Sequence, residues 1–168
     1  MSGILTVTRA KDLYEMDFPS RKPKRIELTE QMSRAIGAPV LEAHLSRDLL
    51  LLLENEQQVR DLKPDFESLK HLPDCFAVVV TAKGGKVDFV SRFFAPGAGI
   101  PEDPVTGSSH CSLIPFWAEK LKREKMVARQ LSKRGGTLFC KNYGDRVKIA
   151  GNAVLYLKGE IFQDRGRI

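Results

Sequence analysis

Ile100-Pro101-Glu102-Asp103-Pro104-Val105-Thr106-Gly107-Ser108-Ser109-His110-Cys111 is the stretch on which the reading of this chain turns. Pro101 and Pro104 lack a backbone donor and stop the strand expected before them. Gly107 lets backbone come close to a ligand, and Thr106 or Ser108 is of the type that caps a first helical turn. Beyond them Cys111, Leu113, Ile114, Phe116, Trp117, Ala118 and Leu121 make the segment from Ser108 to Leu121 apolar on nearly every side, which predicts a buried helix. First-turn N–H groups have no helical acceptor, and the helix dipole adds partial positive charge there. That combination suits a carboxylate, sulfate, phosphate or enolate oxygen, so Thr106, Gly107, Ser108, Ser109 and His110 are candidate anion contacts. Pro115 cannot donate to the Cys111 carbonyl, and a kink or an irregular turn is expected there.

Asp103 sits at the rim of this turn with two compatible roles, a loop aspartate capping the helix or a carboxylate that orients substrate and handles a proton. Ser108, Ser109 and His110 invite a serine hydrolase reading. Neighbours on a helix do not face each other, however, and the Gly-x-Ser-x-Gly elbow is absent, so this reading is set aside. His110 is expected to be a packed or capping histidine, and His44 and His71 carry no partner pattern. Arg134-Gly135-Gly136 has two readings that stand level: a guanidinium aimed at a substrate carboxylate, or a glycine-rich hairpin turn with a surface arginine.

Outward from the central stretch, Ile4 to Arg9 and Leu13 to Phe18 alternate as a β-hairpin. Pro19 to Arg25 is expected to be a crossover, and Thr29 to cap a helix from Glu30 to Ile36 that Gly37 and Pro39 close. Leu41 to Leu45 and Leu49 to Leu53 are predicted strands, and Glu56 to Arg60 and Phe66 to Lys70 helical turns. Phe76 to Thr81 and Val87 to Phe94 form a second hairpin about Lys83-Gly84-Gly85-Lys86. Strands are expected near Ala128 to Ser132, Thr137 to Lys141, Arg146 to Ala150 and Ala153 to Phe162, with Gly135-Gly136, Gly144-Asp145 and Gly151-Asn152 between them.

With 168 residues, 42% hydrophobic and 29% charged, the chain can bury the core of one ordinary domain, or of one domain with a small appendage. No run approaches the ~18 apolar residues of a membrane span. Met1-Ser2-Gly3-Ile4-Leu5-Thr6 lacks the pattern of a secretory signal, so cytoplasmic residence is expected. Cys75, Cys111 and Cys140 are odd in number and widely spaced, which argues against a disulfide framework or a zinc site and for buried thiols. No cofactor motif is seen. The net charge of +6 gathers in Arg21-Lys22-Pro23-Lys24-Arg25, in Lys120 to Lys125, and at Arg165 and Arg167. No aromatic residues interleave these clusters for base stacking, so attraction of small anions is expected ahead of nucleic acid.

Five blocks carry a resemblance: Met16-Asp17-Phe18-Pro19, Asp88-Phe89-Val90-Ser91-Arg92-Phe93-Phe94-Ala95-Pro96, Glu102-Asp103-Pro104-Val105-Thr106-Gly107-Ser108, Gln130-Leu131-Ser132-Lys133-Arg134-Gly135-Gly136 and Gly144-Asp145-Arg146-Val147. From Gly3 to about Phe162 the chain resembles the later, C-terminal part of a PhzF-like (phenazine-biosynthesis-like) isomerase, within the diaminopimelate-epimerase-like superfold. The resemblance implies an α+β fold, half of the family's architecture, with an antiparallel or mixed sheet wrapped as a half-barrel around one central buried helix at about 108–121. It divides the chain into a hairpin left over from a first half (1–19), a C-terminal domain (20–162) and a basic tail (163–168). The family's general acid/base glutamate and its Gly-His-Ala-Thr motif belong to the first half, and neither occurs in this sequence.

What the resemblance carries over is Asp103 as a substrate-orienting or proton-handling carboxylate, Ser108 as a ligand contact and the Gly107 to Ser109 backbone as oxyanion donors. The implied chemistry is cofactor-independent proton transfer next to a carboxylate, on a small carboxylate substrate, with no metal. The expected partner is a second copy of the chain, in a homodimer that covers the surface of the missing half. The competing readings are a non-catalytic binding or regulatory homodimer that keeps the anion pocket, and a basic domain that meets nucleic acid.

Overall fold

Leu49-Leu50-Leu51-Leu52 is apolar at every position because the strand it forms is covered on both faces. Leu50 and Leu52 point into one hydrophobic cluster, and Leu49, Leu51 and Leu53 into another. The computed structural model describes residues 4–160. Their ten strands are β1 (Thr6–Ala10), β2 (Leu13–Pro19), β3 (Lys24–Ile26), β4 (Glu42–Leu45), β5 (Leu49–Leu52), β6 (Val78–Lys83), β7 (Phe89–Phe94), β8 (Lys125–Gln130), β9 (Gly136–Asn142) and β10 (Arg146–Gly151). Four α-helices accompany them: α1 (Glu30–Ile36), α2 (Glu56–Asp61), α3 (Phe66–Lys70) and α4 (Gly107–Leu121).

All ten strands form one open sheet in the order β1-β2-β10-β9-β8-β7-β6-β5-β4-β3, so the fold is α+β with β1 and β3 at the edges. Only β5–β6 and β7–β8 pair in parallel, where α2 with α3, and then α4, supply the crossovers that parallel neighbours need. The leading hairpin is continuous with the rest, because β2 pairs with β10 from Tyr14↔Gly151 to Pro19↔Arg146. Across that seam Glu15 takes Lys141 and Lys148 at 2.8 Å each, and the lysine bonds hold its carboxyl below the ordinary range.

The sheet bends about α4, whose Leu113, Ile114, Phe116 and Trp117 share one core with inward residues of β2 and β5 to β10. Trp117 stacks on Phe89 at 5.7 Å between centroids and donates to Thr81 Oγ1 at 2.9 Å, and Thr81 donates on to the Val90 carbonyl. The opposite face of β4 to β7 is covered by α1, α2 and α3 through Met32, Ile36, Val59 and Leu69. Each face thus gets the helix that its apolar residues require.

Several expectations need correction. The run from Ala153 to Phe162 is not a strand: 152–160 has no regular structure, and 161, 162 and the basic tail 163–168 lie outside the described residues. β9 and β2 already occupy both sides of β10, so a continuing strand finds no edge beside it. β8 begins three residues before the expected Ala128, and Lys24–Ile26 in the expected crossover forms β3 against β4. Thr29 stands at the start of α1 without a side-chain capping bond. Helix α4 runs unbroken through Pro115, and the Cys111 carbonyl that the proline orphans accepts the Arg21 N–H at 2.8 Å. Of the three free thiols, Cys111 and Cys140 are buried and Cys75 is partly so. Burial pushes all three upward in pKa.

Candidate functional site

β7 delivers the chain at Phe94 to a short 3-10 turn at Pro96–Ala98, and the loop beyond it is pinned before α4 starts. Arg92 grips Glu102 with two bonds of 2.7 and 3.0 Å, and the Asp103 N–H donates to the Phe93 carbonyl at 3.0 Å. Gln130, fully buried at the end of β8, crosses to the same loop. Its Nε2 donates to the Asp103 carbonyl at 2.7 Å and to Thr106 Oγ1 at 3.2 Å, while its Oε1 accepts the Thr106 N–H at 2.8 Å. Thr106 Oγ1 in turn donates to Asp103 Oδ2 at 2.6 Å. Ser132 closes the outer side by donating to the Pro104 carbonyl at 2.7 Å. One amide therefore sets the path of the backbone from Asp103 to the helix.

Helix α4 starts at Gly107, with Thr106 in the cap position in an extended conformation. Neither Thr106 nor Ser108 caps it with a side chain, contrary to the expectation, because Thr106 Oγ1 is directed to Asp103 and Ser108 Oγ accepts from Arg47 Nη2 at 3.0 Å. Asp103 likewise bonds the Thr106 hydroxyl and, among the described residues, no first-turn N–H. Helix geometry leaves the N–H groups of Gly107, Ser108 and Ser109 without an intrahelical acceptor and directs that of His110 to the Thr106 carbonyl. A Cβ on Gly107 would meet only the Phe18 ring, at an ordinary 3.7 Å. Arg47 brings positive charge to this turn, although the buried Asp48 carboxylate grips it twice, at 2.8 and 2.9 Å. Asp103 lies three residues before the cap position, outside the first turn, and is held beside the helix start by the Thr106 hydroxyl.

The side chains of Ser109 and His110 belong to the interior. Ser109 Oγ donates to the Thr106 carbonyl at 2.9 Å, and His110 Nδ1 lies 2.7 Å from the same oxygen. A carbonyl only accepts, which assigns the His110 proton to Nδ1 and leaves Nε2 buried without a partner. Burial holds this imidazole down at about 4, so it is neutral at physiological pH. Ser109 and His110 do approach to 3.3 Å, but both face the core and share one carbonyl, so they do not form an exposed nucleophile and base. What His110 offers a ligand at the surface is therefore not its ring.

Arg134 is exposed in the β8–β9 turn and, among the described residues, has neither an ion pair nor a hydrogen bond. Gly135 adopts φ +67° there, with its N–H on Ser132 Oγ, so the glycine serves the turn. The same turn lies beside the loop: Arg134, Gly135 and Gly136 line an open cleft of about 840 Å³ with Val105, Val7, Tyr14 and Met16. Sequence reasoning gave no role to Gln130 or Arg47, which act on residues 24 and more positions away. Their signal was slight: a polar residue ending an apolar alternation, and an Arg-Asp pair between two strands. Among the described residues no cluster of three or more His, Cys, Asp or Glu gathers, and no helix is long and apolar enough to cross a membrane.

Known proteins resemble the chain in sequence and in backbone. A family described as phenazine biosynthesis-like protein (PhzC-PhzF) matches residues 2–159. An uncharacterised isomerase of Pseudomonas aeruginosa is 49% identical over 161 residues, which cover 95% of this chain and 61% of that protein. A PhzF-family crystal structure from Enterococcus faecalis superposes with a TM-score of 0.89 at 44% identity, over 95% of this chain and 61% of the other. A putative phenazine biosynthesis PhzC/PhzF protein from Clostridium difficile gives 0.85 at 49% identity over the same shares. A predicted epimerase of Pseudomonas aeruginosa, 16% identical with a TM-score of 0.62, shares the fold alone. The chain thus spans 61% of the length of the first three of these proteins. With a match running over nearly all its residues and relatives this similar in sequence and in backbone, the chain belongs to the phenazine biosynthesis-like (PhzC-PhzF) family.

Proposed function

We propose that this chain is the small-carboxylate-binding part of an isomerase-type site, in which a proton moves at a carbon next to a carboxylate without a cofactor. The observation that carries the reading is the Gln130 clamp, which holds the Asp103 carboxylate and the first turn of α4 in one fixed unit. A substrate carboxylate or enolate oxygen is met by the N–H groups of Gly107, Ser108 and Ser109, where developing negative charge is stabilised most. Asp103 orients the substrate or carries the proton, and Arg134 guides the anion toward the loop. That the matching Pseudomonas aeruginosa protein is called an isomerase supports the class of chemistry.

A second reading, binding without turnover, is favoured by the carboxylates themselves. Of those near the helix start, Glu102 and Asp48 are each bound to an arginine, which leaves Asp103, among the described residues there, as the single carboxylate outside an ion pair. Proton transfer that removes a proton on one side and returns it on another needs two such groups. Alone, the chain is therefore expected to bind small carboxylates and to turn them over weakly or not at all. Solvent-deuterium incorporation into a panel of unsaturated and α-amino carboxylates separates the readings. Exchange lost on Asp103→Asn supports the isomerase reading, binding without exchange supports the second, and robust exchange that survives Asp103→Asn overturns the assignment of Asp103.

A further inference from the structure

Ser109 and His110 are buried polar side chains at the start of α4 that the proposed proton transfer does not use, exposed by only 1 and 0%. An apolar side chain would fill the histidine's position at lower cost. The ring keeps its Nε2 buried without a partner among the described residues, and burial holds it neutral. Phe89 lies against it, with centroids 6.1 Å apart. The short bond that the ring does make runs from Nδ1 to the Thr106 carbonyl, at 2.7 Å. Ser109 Oγ donates to the same oxygen at 2.9 Å, and the helix brings the His110 N–H there as well. Three donors thus converge on one carbonyl that has two lone pairs.

That carbonyl is one half of the peptide unit whose other half is the Gly107 N–H. Resonance couples the two halves: electron density drawn to the oxygen by its donors leaves the nitrogen, and the N–H becomes more positive. In a chain of hydrogen bonds each one strengthens its neighbour by roughly 10–30%. The peptide is planar, so donors that fix its carbonyl also fix the direction of its N–H. Gly107 is the first residue of α4, and its N–H has neither an intrahelical acceptor nor a side-chain cap. The peptide on the other side of Thr106 is held too, because Gln130 Oε1 accepts the Thr106 N–H at 2.8 Å. Buried side chains therefore grip the backbone both before and after the cap residue.

We propose that His110 and Ser109 are positioning residues that act through the Thr106 carbonyl, polarising and aiming the Gly107 N–H as the leading donor to an anionic ligand oxygen. This inference rests on the reading that the first turn of α4 meets a carboxylate or an enolate. A polarised donor gains most where the acceptor charge is concentrated, so the turn favours an enolate or carboxylate oxygen over a neutral ester or amide carbonyl. Helical spacing accounts for the two positions: residues three and four beyond Thr106 lie on its face, and both reach back to its carbonyl. The unpaired Nε2 is then the cost of placing a rigid donor at Nδ1.

The test is nuclear magnetic resonance of the Thr106–Gly107 peptide, without ligand and in titration with sodium sulfate, for the native chain, Ser109→Ala, His110→Leu and His110→Asn. Without ligand, loss of a donor is expected to move the Thr106 carbonyl carbon and the Gly107 amide nitrogen upfield in Ser109→Ala and in His110→Leu. Sulfate affinity is expected to fall about 1.5- to 4-fold in His110→Leu, the size that a 10–30% change in a charge-assisted bond gives. His110→Asn keeps a donor in the place of Nδ1 and is expected to bring both readings back toward native, which a loss of packing alone would not allow. Ser109→Ala removes a single oxygen, so it carries the test if His110→Leu does not fold. In the variants that fold, an unmoved Thr106–Gly107 peptide, a moved peptide with unchanged sulfate affinity, or His110→Asn behaving as His110→Leu each overturns the proposal and leaves the anion site standing. A native chain whose amides at 106–110 do not respond to sulfate overturns the anion reading, and this proposal with it.

Discussion

Replacing Gln130 by leucine tests whether one buried amide holds the candidate site together. The side chain is of similar size, so the cavity term is small, but two polar groups lose their partner. The Thr106 N–H, in a buried residue, loses a 2.8 Å acceptor, and the Asp103 carbonyl loses a 2.7 Å donor. An unpaired buried group costs about 1–3 kcal/mol, so the pair amounts to roughly 3 kcal/mol. For a chain of this length each kcal/mol moves the melting temperature by about 2–4 °C, and Gln130→Leu should therefore melt about 6–12 °C lower. Calorimetry reads that shift. Amide resonances of residues 106–110 titrated with sulfate read the second consequence, a weaker response to the anion at temperatures where the variant is still folded. Ser132→Ala is the control, since its bonds to the Pro104 carbonyl and from the Gly135 N–H lie on the outer, partly exposed side of the loop, and losing both should cost about 1–2 kcal/mol. A Gln130→Leu chain that melts within a degree of the native one and shows the same sulfate-induced shifts would refute the clamp.

His110 makes stability depend on pH in a definite window. Its folded pKa of about 4 lies below the ordinary 6.5, so the unfolded chain binds more protons between those values and stability falls as pH drops from 6.5 toward 4. The full loss is about 3 kcal/mol; urea midpoints at several pH values should show it, and His110→Gln should flatten that part of the profile. Gly136→Ala should disturb the site from outside, because its Cβ would stand 2.6 Å from Val105 Cγ2 and push the loop between Asp103 and Thr106. A cost of about 1–3 kcal/mol with altered amide shifts at 105–108 is expected, and unchanged spectra would count against it. Gly107→Val has room beside Phe18, so it should fold, yet it should weaken sulfate or carboxylate binding by crowding the first turn; unaltered affinity in the same titration would show that the anion does not approach there.

The elements most legible in the sequence were those whose burial is one-sided or total. Apolar residues on all sides announced α4, and the uninterrupted leucines announced β5, because both are enclosed on every face. β8 was shifted because Lys125 and Arg129, exposed on its outer face, continue the basic run from Lys120 and hide the alternation of Met126, Ala128 and Gln130 on the inner one. The segment 153–160 has strand composition without a strand, since composition states a preference and an available edge decides it. At the site, Asp103, Thr106 and Gly107 were recognisable from local turn chemistry. Gln130 and Arg47 were not, because they reach the loop across β8 and from the β4–β5 turn, and nothing local to either residue encodes that meeting.

The proline in α4 shows how such distant pieces are fastened. Pro115 leaves the Cys111 carbonyl without a helical donor, and the chain fills that vacancy with the Arg21 N–H just after the leading hairpin. One turn earlier Ser108 receives Arg47, and Ser112 meets Ser46 at 2.8 Å; further along, Glu119 pairs with Lys22. These contacts fall at positions 108, 111, 112 and 119, the three- and four-residue steps of one helical stripe. The polar stripe therefore faces two segments, 21–22 and 46–47, that lie far from it in sequence, while the apolar remainder of the helix faces the sheet. The helix start that carries the candidate anion site is thus held laterally by the stripe and frontally by Gln130. Its position follows from three separate parts of the chain, so substitutions at Arg47 or Gln130 should alter ligand binding as surely as substitutions in the loop itself.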